Sequence, residues 1–142
     1  MRRPMRVLFL CTGNSARSQM AEGWLRHLSR GMVEVWSAGT EPRGLHPMAV
    51  QAMAEVGIDI SGHASKSVEG FAGQSFDWVI TVCDRARESC PVFPGVRTLH
   101  WSIPDPAAVP GTEEEALAAF RAVREELRWR ILRFLDGLLA VE

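Results

Sequence analysis

The amino-acid sequence predicts an α/β fold, a three-layer sandwich built around a four-stranded parallel sheet. Short apolar runs alternate along the chain with helical patterns, which is typical of parallel strands joined by crossover helices. The first run, residues 7–10, is apolar at every position, as expected of a central strand covered on both faces. The 142 residues are enough for one core and no more, so we expect a single domain over residues 1–142.

The first half of the chain supplies two strands and two helices. The opening strand covers residues 5–10. Apolar side chains then recur at helical spacing over residues 17–28, which predicts the first helix. Residues 33–37 alternate between apolar and polar side chains and indicate a second strand. The second helix covers residues 47–56, because proline is tolerated in a first helical turn and Gly57 ends the pattern.

The second half of the chain supplies two more strands and the longest helix. Thr112 is followed three residues later by Glu115, and this capping box opens a helix with apolar side chains at regular spacing. The predicted elements are a short helix around residues 68–72, strands at residues 76–82 and 96–101, a proline-rich loop at residues 102–111, and a helix from Thr112 to about Leu138.

Composition narrows the cellular setting of the protein. The net charge is −1, so nothing indicates binding to nucleic acid or to an anionic membrane surface. No apolar run approaches the length of a membrane span, and residues 7–10 are too few for the core of a signal peptide. The cysteine count is three, an odd number, which favours reactive thiols over a disulfide framework. We therefore expect a cytoplasmic protein.

The stretch Cys11-Thr12-Gly13-Asn14-Ser15-Ala16-Arg17-Ser18 joins the first strand to the first helix and has the features of an oxyanion-binding loop. Backbone N–H groups of such a loop converge on one point, which the positive end of the helix dipole also faces. These donors favour the thiolate form of Cys11. Arg17 can donate to two oxygens of one oxyanion, and Ser18 can donate to the sulfur. The predicted oxyanion-binding residues are Thr12, Gly13, Asn14, Ser15, Ala16, Arg17 and Ser18.

A plainer interpretation of this stretch takes Cys11 as a buried cysteine at a strand end and Arg17 as a surface residue of a helix. The preceding strand, the small-residue loop and the serine after Arg17 make the joint pattern more specific than either residue alone. We therefore interpret Cys11 as a nucleophilic thiolate beneath a bound phosphate-like anion.

Asp105 and Cys83 are expected at the same end of the sheet as Cys11. Ligands of parallel sheets bind beyond the carboxyl ends of the strands, and these three residues all follow strands. The prolines on either side of Asp105 restrict its backbone and hold its carboxyl group in place. If it overhangs the loop, Asp105 can protonate a departing oxygen as a general acid. The alternative is an ordinary turn aspartate.

Cys83 and Cys90 form the second candidate pair. No nearby histidine or third cysteine completes a zinc ligand set, so a redox pair suits them better. If residues 84–90 were helical, seven steps would separate the two Cα atoms by roughly 10 Å. A disulfide needs them within about 7 Å. We therefore predict that residues 84–95 rearrange on oxidation, helped by the irregular stretch that contains Pro91, Pro94 and Gly95.

Four motifs together resemble the thioredoxin-coupled arsenate reductases, a family that shares the fold of the low-molecular-weight protein tyrosine phosphatases. They are Cys-Thr-Gly-Asn-Ser-x-Arg-Ser-Gln-Met-Ala-Glu-Gly from Cys11, Ser-Ala-Gly at residues 37–39, Cys-x6-Cys-Pro from Cys83, and Asp-Pro at Asp105. The resemblance covers nearly the whole chain, and the arrangement of three cysteines is specific to the reductases.

The resemblance implies a role for each thiol. Cys11 attacks arsenate held by the loop and Arg17, while Asp105 protonates the leaving oxygen. Cys83 then attacks the Cys11–arsenic adduct, releases arsenite and leaves a Cys11–Cys83 disulfide. Cys90 next attacks Cys83 and moves the disulfide outward, where thioredoxin reduces it. Phosphate and sulfate are expected to bind as analogues of arsenate, and we expect a monomer with no tightly bound cofactor, no nucleic-acid partner and no membrane partner.

Some relatives also bind potassium beside the loop, with ligands that correspond to Asn14, Glu22 and Ser37. Their acidic ligand corresponds to Lys66, the only lysine of this chain. We hypothesise that the Lys66 ammonium replaces the ion and lies against Glu22 or Asn14. The four histidines are too scattered in the sequence to suggest a metal site.

Two other functions remain open. The first is a phosphatase acting on aryl or tyrosyl phosphate through a phosphocysteine at Cys11, since Arg17 and Asp105 would serve it equally well. Cys83 and Cys90 discriminate, because hydrolysis of a phosphate ester has no use for them. The second is a non-catalytic oxyanion sensor or thiol switch that binds a partner.

Overall fold

A computed structural model describes residues 3–91, 93 and 95–141 of the chain. Its centre is a sheet of four parallel strands in the spatial order β2-β1-β3-β4. This architecture confirms the predicted four-stranded parallel α/β fold. The strands are β1 (Met5–Cys11), β2 (Val33–Gly39), β3 (Trp78–Thr81) and β4 (Arg97–His100).

Within these described residues, four α-helices and two short 3₁₀ turns flank the sheet. The long helix α4 (Glu113–Val141) packs against α1 (Arg17–Leu28), where the Trp24 indole N–H donates to the Arg124 carbonyl at 3.0 Å. The predicted capping box of α4 is confirmed: the Glu115 N–H donates to Thr112 Oγ1 at 3.2 Å, and Glu115 Oε1 accepts from the Thr112 N–H at 3.3 Å. The helical elements are α1 (Arg17–Leu28), α2 (Pro47–Ala54), Val68–Phe71 (3₁₀), α3 (Asp84–Glu88), Pro106–Ala108 (3₁₀) and α4 (Glu113–Val141).

Element ends differ from the predicted ones by up to three residues. The second strand continues to Gly39, because Gly39 lies beside Cys11 in the sheet register. The third strand is shorter than residues 76–82, although the N–H groups of Asp77 and Val82 still donate to β1 carbonyls at 2.8 Å. Helix α2 stops at Ala54, and the short helix near residue 70 is a 3₁₀ turn. Sequence periodicity locates elements, whereas backbone hydrogen bonds decide their last residues.

The core is centred on β1, which has a hydrogen-bonded neighbour on each side. Residues 7–10 of this strand are 0% exposed, and α1 and α4 supply further buried apolar side chains. Each fully buried leucine or phenylalanine contributes about 1.5–3 kcal/mol relative to an exposed one. Cys11, the last residue of β1, therefore follows directly on a fully buried stretch of strand. Within the described residues, no helix is both long and apolar enough to cross a membrane.

Candidate active site

The loop between β1 and α1 directs its N–H groups inward because its carbonyl groups are already bonded elsewhere. The segment after β2 runs alongside this loop and donates three backbone hydrogen bonds to it. They go from Glu41 to the Thr12 carbonyl, from Arg43 to the Gly13 carbonyl and from His46 to the Ser15 carbonyl, at 2.8–2.9 Å. Ala16 occupies the N-cap of α1 and has no side-chain acceptor of its own. The first N–H groups of α1 therefore remain available to an anion.

Asn14 fixes the backbone conformation of the loop through its buried side chain. It is 0% exposed and has a φ of +46°, in the left-handed region that non-glycine residues rarely adopt. Four hydrogen bonds of its side chain hold it there. Its Nδ2 donates to Ser18 Oγ at 2.8 Å and to Ser37 Oγ at 3.0 Å, while its Oδ1 accepts from Gln19 Nε2 at 3.0 Å and from the Lys66 N–H at 2.8 Å. These contacts stabilise the backbone conformation of the loop.

The Cys11 sulfur lies inside the loop with two hydrogen-bonding partners. It accepts from the Asn14 N–H at 3.2 Å and lies 2.9 Å from Ser18 Oγ. Ser18 Oγ already accepts from the Asn14 amide, so its own proton is free to point at the sulfur. Both groups can donate a hydrogen bond to the sulfur. The side chain is buried, so the sulfur meets solvent and substrate only through the loop.

Gly39 forms part of the wall behind the loop and leaves no room for a side chain. A Cβ atom at this position would lie 2.5 Å from the Thr12 carbonyl oxygen and 2.8 Å from the Asn14 nitrogen. Both are backbone atoms, so no side-chain rotation relieves the contact. This close approach gives the Ser-Ala-Gly motif a physical explanation: its glycine lets β2 pack directly against the oxyanion loop.

Arg17 and Asp105 lie over the same pocket. Arg17 Nη1 donates to the Ile103 carbonyl at 3.0 Å, and its Nη2 lies 3.9 Å from Asp105 Oδ2. Asp105 Oδ1 accepts from the Ala107 N–H at 3.0 Å, so one carboxylate oxygen is fixed while the other faces the arginine. The pocket measures about 320 Å³ and is lined by Cys11, Thr12, Gly13, Ser15, Ala16, Arg17, Arg43, Gly44, Leu45, His46, Pro47, Asp105 and Ala107.

Cys83 lies against the oxyanion loop from a second direction. Its buried sulfur is 3.3 Å from Thr12 Oγ1, a side chain of the residue that directly follows Cys11. Cys83 is also the N-cap of α3, and its sulfur lies 3.4 Å from the Ala86 N–H. A hydroxyl and a helix N-terminal amide therefore both face this second sulfur.

Cys90 lies just beyond the far end of α3, with its side chain half-buried. Burial raises the pKa of its thiol, so at neutral pH the buried group is protonated. All three cysteines are free, and α3 separates Cys83 from Cys90. This is the arrangement in which we expect no direct bond between them. The predicted rearrangement of residues 84–95 stays a prediction, and Pro94 lies outside the described residues.

Beside the loop, the buried carboxylate of Glu22 is held by a cation on its own helix. Glu22 Oε2 accepts from Arg26 Nη2 at 2.7 Å, and Glu22 Oε1 accepts from Ser37 Oγ at 2.6 Å. His63 Nδ1 contacts Gln19 Oε1 at 2.9 Å, so this nitrogen carries the proton, and Nε2 is left to accept from Arg26 at 3.3 Å. Burial lowers the pKa of His63, which favours this neutral ring.

The hypothesis of a direct bond from the Lys66 ammonium to Glu22 or Asn14 is wrong, although the Glu22 charge still acts on Lys66 and raises its pKa against the effect of burial. Its Nζ donates to the Ala64 carbonyl at 2.7 Å, and it is the backbone N–H of Lys66 that donates to Asn14. Arg26 lies beside Glu22 because it follows four residues later on the same helix, where side chains of neighbouring turns meet. Burial lowers the pKa of Lys66.

The oxygens that the resemblance offers to potassium all have partners within the protein. Asn14 Oδ1 accepts two hydrogen bonds, and Ser37 Oγ accepts from Asn14 and donates to Glu22. With Arg26 on the remaining carboxylate oxygen, these residues do not fit a bound ion. In the part of the chain that is described, no cluster of three or more His, Cys, Asp or Glu side chains is placed to hold a metal.

Sequence reasoning missed one wall of the pocket. Arg43, Leu45 and His46 line it from the segment after β2, which the sequence marks only by Pro42 and Gly44. The available signal was positional, since this segment follows the carboxyl end of a strand next to β1. Thr12 as a contact of Cys83 was also missed, because nothing local in the sequence links residues 71 positions apart.

A cysteine at the end of a central strand, a loop of inward N–H groups, an arginine and a carboxylate together define the phosphatase-like class of thiol enzymes. Comparison with known proteins specifies the family. Residues 6–140 match the family described as low molecular weight phosphotyrosine protein phosphatase. The chain belongs to this family, and its relatives below place it among the arsenate reductases of that fold.

An arsenate reductase of Bacillus subtilis is 47% identical over 131 residues, which are 92% of this chain and 94% of that protein. A solved arsenate reductase in its phosphate-binding state is 35% identical, with a TM-score of 0.76 over 94% of this chain and 98% of its own. A thioredoxin-dependent arsenate reductase of Corynebacterium glutamicum is 28% identical, with a TM-score of 0.78, and covers all of this chain and 66% of its own. The resemblance drawn from the motifs is confirmed.

Proposed function

We propose that this protein reduces arsenate to arsenite through Cys11, Cys83 and Cys90, with thioredoxin as the external reductant. The single observation that carries the proposal is the 3.3 Å contact between Thr12 Oγ1 and the Cys83 sulfur. It brings a second free thiol to the loop that holds the first. The relatives named arsenate reductase, one of them thioredoxin-dependent, support the same reaction.

In the first step the Cys11 thiolate attacks arsenic, and a sulfur–arsenic bond forms. An oxygen leaves as water once it has been protonated, and Asp105, which lines the pocket, is the proposed proton donor. Arg17 is held by the Ile103 carbonyl with its second amino group toward the pocket, where it can neutralise charge on the oxyanion.

The second step transfers two electrons to arsenic. The Cys83 thiolate attacks the Cys11 sulfur, the sulfur–arsenic bond breaks with its electron pair on arsenic, and arsenite leaves. A Cys11–Cys83 disulfide remains. The Cys90 thiolate then attacks the Cys83 sulfur and releases Cys11 as a thiolate. The dithiol of thioredoxin supplies two electrons to the Cys83–Cys90 disulfide and returns the protein to its starting state.

Cys90 is the group that must change most during this sequence. Its thiol is half-buried, and burial raises its pKa, so it is a weak nucleophile where it stands. Unwinding of α3 would expose this thiol and shorten its distance to Cys83 together. Exposure and approach are therefore one event in the proposed relay.

The pocket lining favours a small inorganic oxyanion over an aryl phosphate. Among the lining residues that the structure describes, the His46 imidazole is the sole aromatic ring, and no phenylalanine or tryptophan is available to stack on a phenyl group. Arg43 lines the pocket as a second cation beside Arg17. Cys11, Arg17 and Asp105 are nevertheless enough for hydrolysis of an aryl phosphate, so we expect a weak phosphatase activity at the same site.

The test is arsenate-dependent consumption of NADPH with thioredoxin and thioredoxin reductase, run beside hydrolysis of 4-nitrophenyl phosphate. Cys90→Ser should abolish multiple turnover with thioredoxin and leave phosphate ester hydrolysis near the wild-type rate. Equal loss or equal survival of the two activities would refute the relay. Reactive Cys11 with turnover of neither substrate would instead indicate an oxyanion sensor.

We further propose that residues 1–142 work as one cytoplasmic, monomeric domain that uses neither a tightly bound cofactor nor a nucleic-acid or membrane partner. The net charge of −1 supports the absence of an electrostatic attraction to polyanions.

A further inference from the structure

His100 connects three elements of the fold at one point. It is the last residue of β4, and its Nδ1 lies 2.7 Å from Thr81 Oγ1 at the end of β3. Its Nε2 lies 2.7 Å from Asp84 Oδ1 in the first turn of α3. The imidazole is largely buried, with 16% of its side chain exposed, whereas the Asp84 side chain is 75% exposed. A largely buried ring therefore holds a carboxylate that is mostly exposed to solvent.

The chemistry of the three groups determines how the protons lie. An ionised carboxylate only accepts hydrogen bonds, so His100 Nε2 must carry a proton and donate a hydrogen bond to Asp84. Nδ1 can then accept from the Thr81 hydroxyl, or donate to it when the ring is charged. Hydrogen bonds from His100 and Ser102 lower the pKa of Asp84, so the carboxylate is ionised at neutral pH. The contact is a charge-assisted hydrogen bond in either state of the ring.

Asp84 directly follows Cys83, the N-cap of α3. A contact that fixes Asp84 also fixes the first turn of the helix and the direction of the Cys83 side chain. The opposite end of α3 carries Cys90, which has to approach Cys83 for the proposed relay to proceed. If the stretch from Cys83 to Cys90 kept a helical rise throughout, the two Cα atoms would lie roughly 10 Å apart, beyond the reach of a disulfide. Helix α3, Asp84–Glu88, is little more than one turn long, so unwinding it for the Cys83–Cys90 disulfide also opens the turn that contains Asp84.

We propose that His100 is a positioning residue of the thiol relay: by holding Asp84 against the sheet it favours the helical dithiol form of residues 83–90 over the form that contains the Cys83–Cys90 disulfide. The proposal rests on the proposed function, since it concerns the disulfide of that relay. Its consequence is that the finished disulfide is more easily reduced than it would be without the contact.

The Cys83–Cys90 disulfide forms by thiol–disulfide exchange, in which every bond made or broken joins cysteines of this chain. The Cys90 thiolate attacks the Cys83 sulfur, the Cys11–Cys83 bond breaks and Cys11 leaves as a thiolate, with no net change in oxidation state. The Asp84–His100 contact lies on the dithiol side of the later reduction, in which thioredoxin or a small thiol adds two electrons. It therefore shifts the equilibrium of that reduction without touching substrate or the reacting sulfur atoms.

The experiment is a redox titration of the full chain in glutathione buffers at fixed pH, followed by acid quenching and tryptic mass mapping. Trypsin cuts after Arg85 and Arg87, so a Cys83–Cys90 disulfide appears as two linked peptides. We expect Asp84→Asn and His100→Gln each to favour the disulfide about threefold to fivefold, a shift of about 15–20 mV to lower potential. The double variant should match either single variant.

The double variant separates the contact from a helix-dipole effect of Asp84. If Asp84 acts through the dipole alone, Asp84→Asn will shift the titration equally with and without His100, and the proposal is wrong. Arg85→Gln is the matched control on the same helix, because its 3.7 Å contact to Glu41 joins two exposed side chains and should leave the titration unchanged. Unaltered titrations of both single variants would also overturn the proposal. Failure of the wild type to form any Cys83–Cys90 disulfide would contradict the proposed function instead.

Discussion

Gly39→Ala tests whether the oxyanion loop depends on direct backbone packing against β2. The new Cβ would meet the Thr12 carbonyl oxygen at 2.5 Å and the Asn14 nitrogen at 2.8 Å. Moving the carbonyl oxygen out to a contact of 3.4 Å is a displacement of about 0.9 Å. Both atoms belong to the loop backbone, so the loop itself must move.

A displacement of this size has separable effects on stability and rate. Overpacking of this kind costs about 1–3 kcal/mol of unfolding free energy, which leaves a domain of typical stability folded. Misplacement of reacting groups by about 1 Å lowers rates on the order of 10²-fold, equivalent to about 2.7 kcal/mol of activation free energy. We therefore expect a folded protein whose arsenate turnover and phosphate ester hydrolysis both fall about 10²-fold.

Urea unfolding measures the first effect, and the coupled NADPH assay with a 4-nitrophenyl phosphate assay measures the second. Gly70→Ala is the control, since a Cβ at Gly70 has no neighbour within 4 Å. It should change the free energy of unfolding by about 0.5 kcal/mol or less, as surface substitutions away from special features do. Both rates should stay within about twofold of the wild type, because the new Cβ displaces no atom of the site. A Gly39→Ala variant with wild-type rates would refute the reasoning.

Three further changes test the site and the stability of the fold. Arg26→Met leaves the buried Glu22 carboxylate without its cation, and urea unfolding should show a loss of about 1–2 kcal/mol, reduced from the fully buried case because Arg26 is half-exposed. Asp105→Asn should slow hydrolysis of phenyl phosphate about 10²-fold but affect 4-nitrophenyl phosphate less, since the better leaving group needs less protonation. Glu55→Gln should lower stability at pH 7. A hydrogen bond from Arg121, joined by Arg124, lowers the pKa of Glu55 from 4.5 to about 2, so this difference should shrink as pH falls through that window.

Each of these changes has its own contrary outcome. Arg130→Met breaks an exposed pair with Glu126 and should cost far less than Arg26→Met; equal losses would mean that burial of Glu22 does not matter. Equal slowing of both phosphate esters would remove Asp105 from the general-acid role. A Glu55→Gln difference that stays constant from pH 5 to about pH 3 would show that ionisation of Glu55 does not support the fold.

The parts of the site that come from contiguous residues could be predicted from sequence. Cys11, the loop and Arg17 follow one another along a strand, a turn and a helix start, so their geometry is a property of one segment. The position of Asp105 could be predicted because its flanking prolines and its place after a strand both limit where its side chain can lie. The sheet could be predicted for a similar reason, since a short run that is apolar at every position, such as that of β1, is typical of a buried central strand.

Contacts between distant side chains could not be predicted in the same way. Lys66 and Arg26 both offered a cation to Glu22, and the choice depended on which side chain reached the carboxylate in the folded chain. The contact between Asp84 and His100 likewise depends on β4 ending beside the first turn of α3. Sequence patterns report which elements form, but the pairing of long side chains across elements depends on rotamers that no local pattern encodes.

The central position of β1 has a consequence for how the protein moves. A strand paired on both sides should open only with the whole molecule, whereas five-residue α3 can open alone. Native-state hydrogen exchange should therefore find slow amides up to the residue that carries the nucleophile and fast amides only a short distance away. This difference in local stability lets the Cys90 thiol move while the oxyanion-binding loop keeps its conformation.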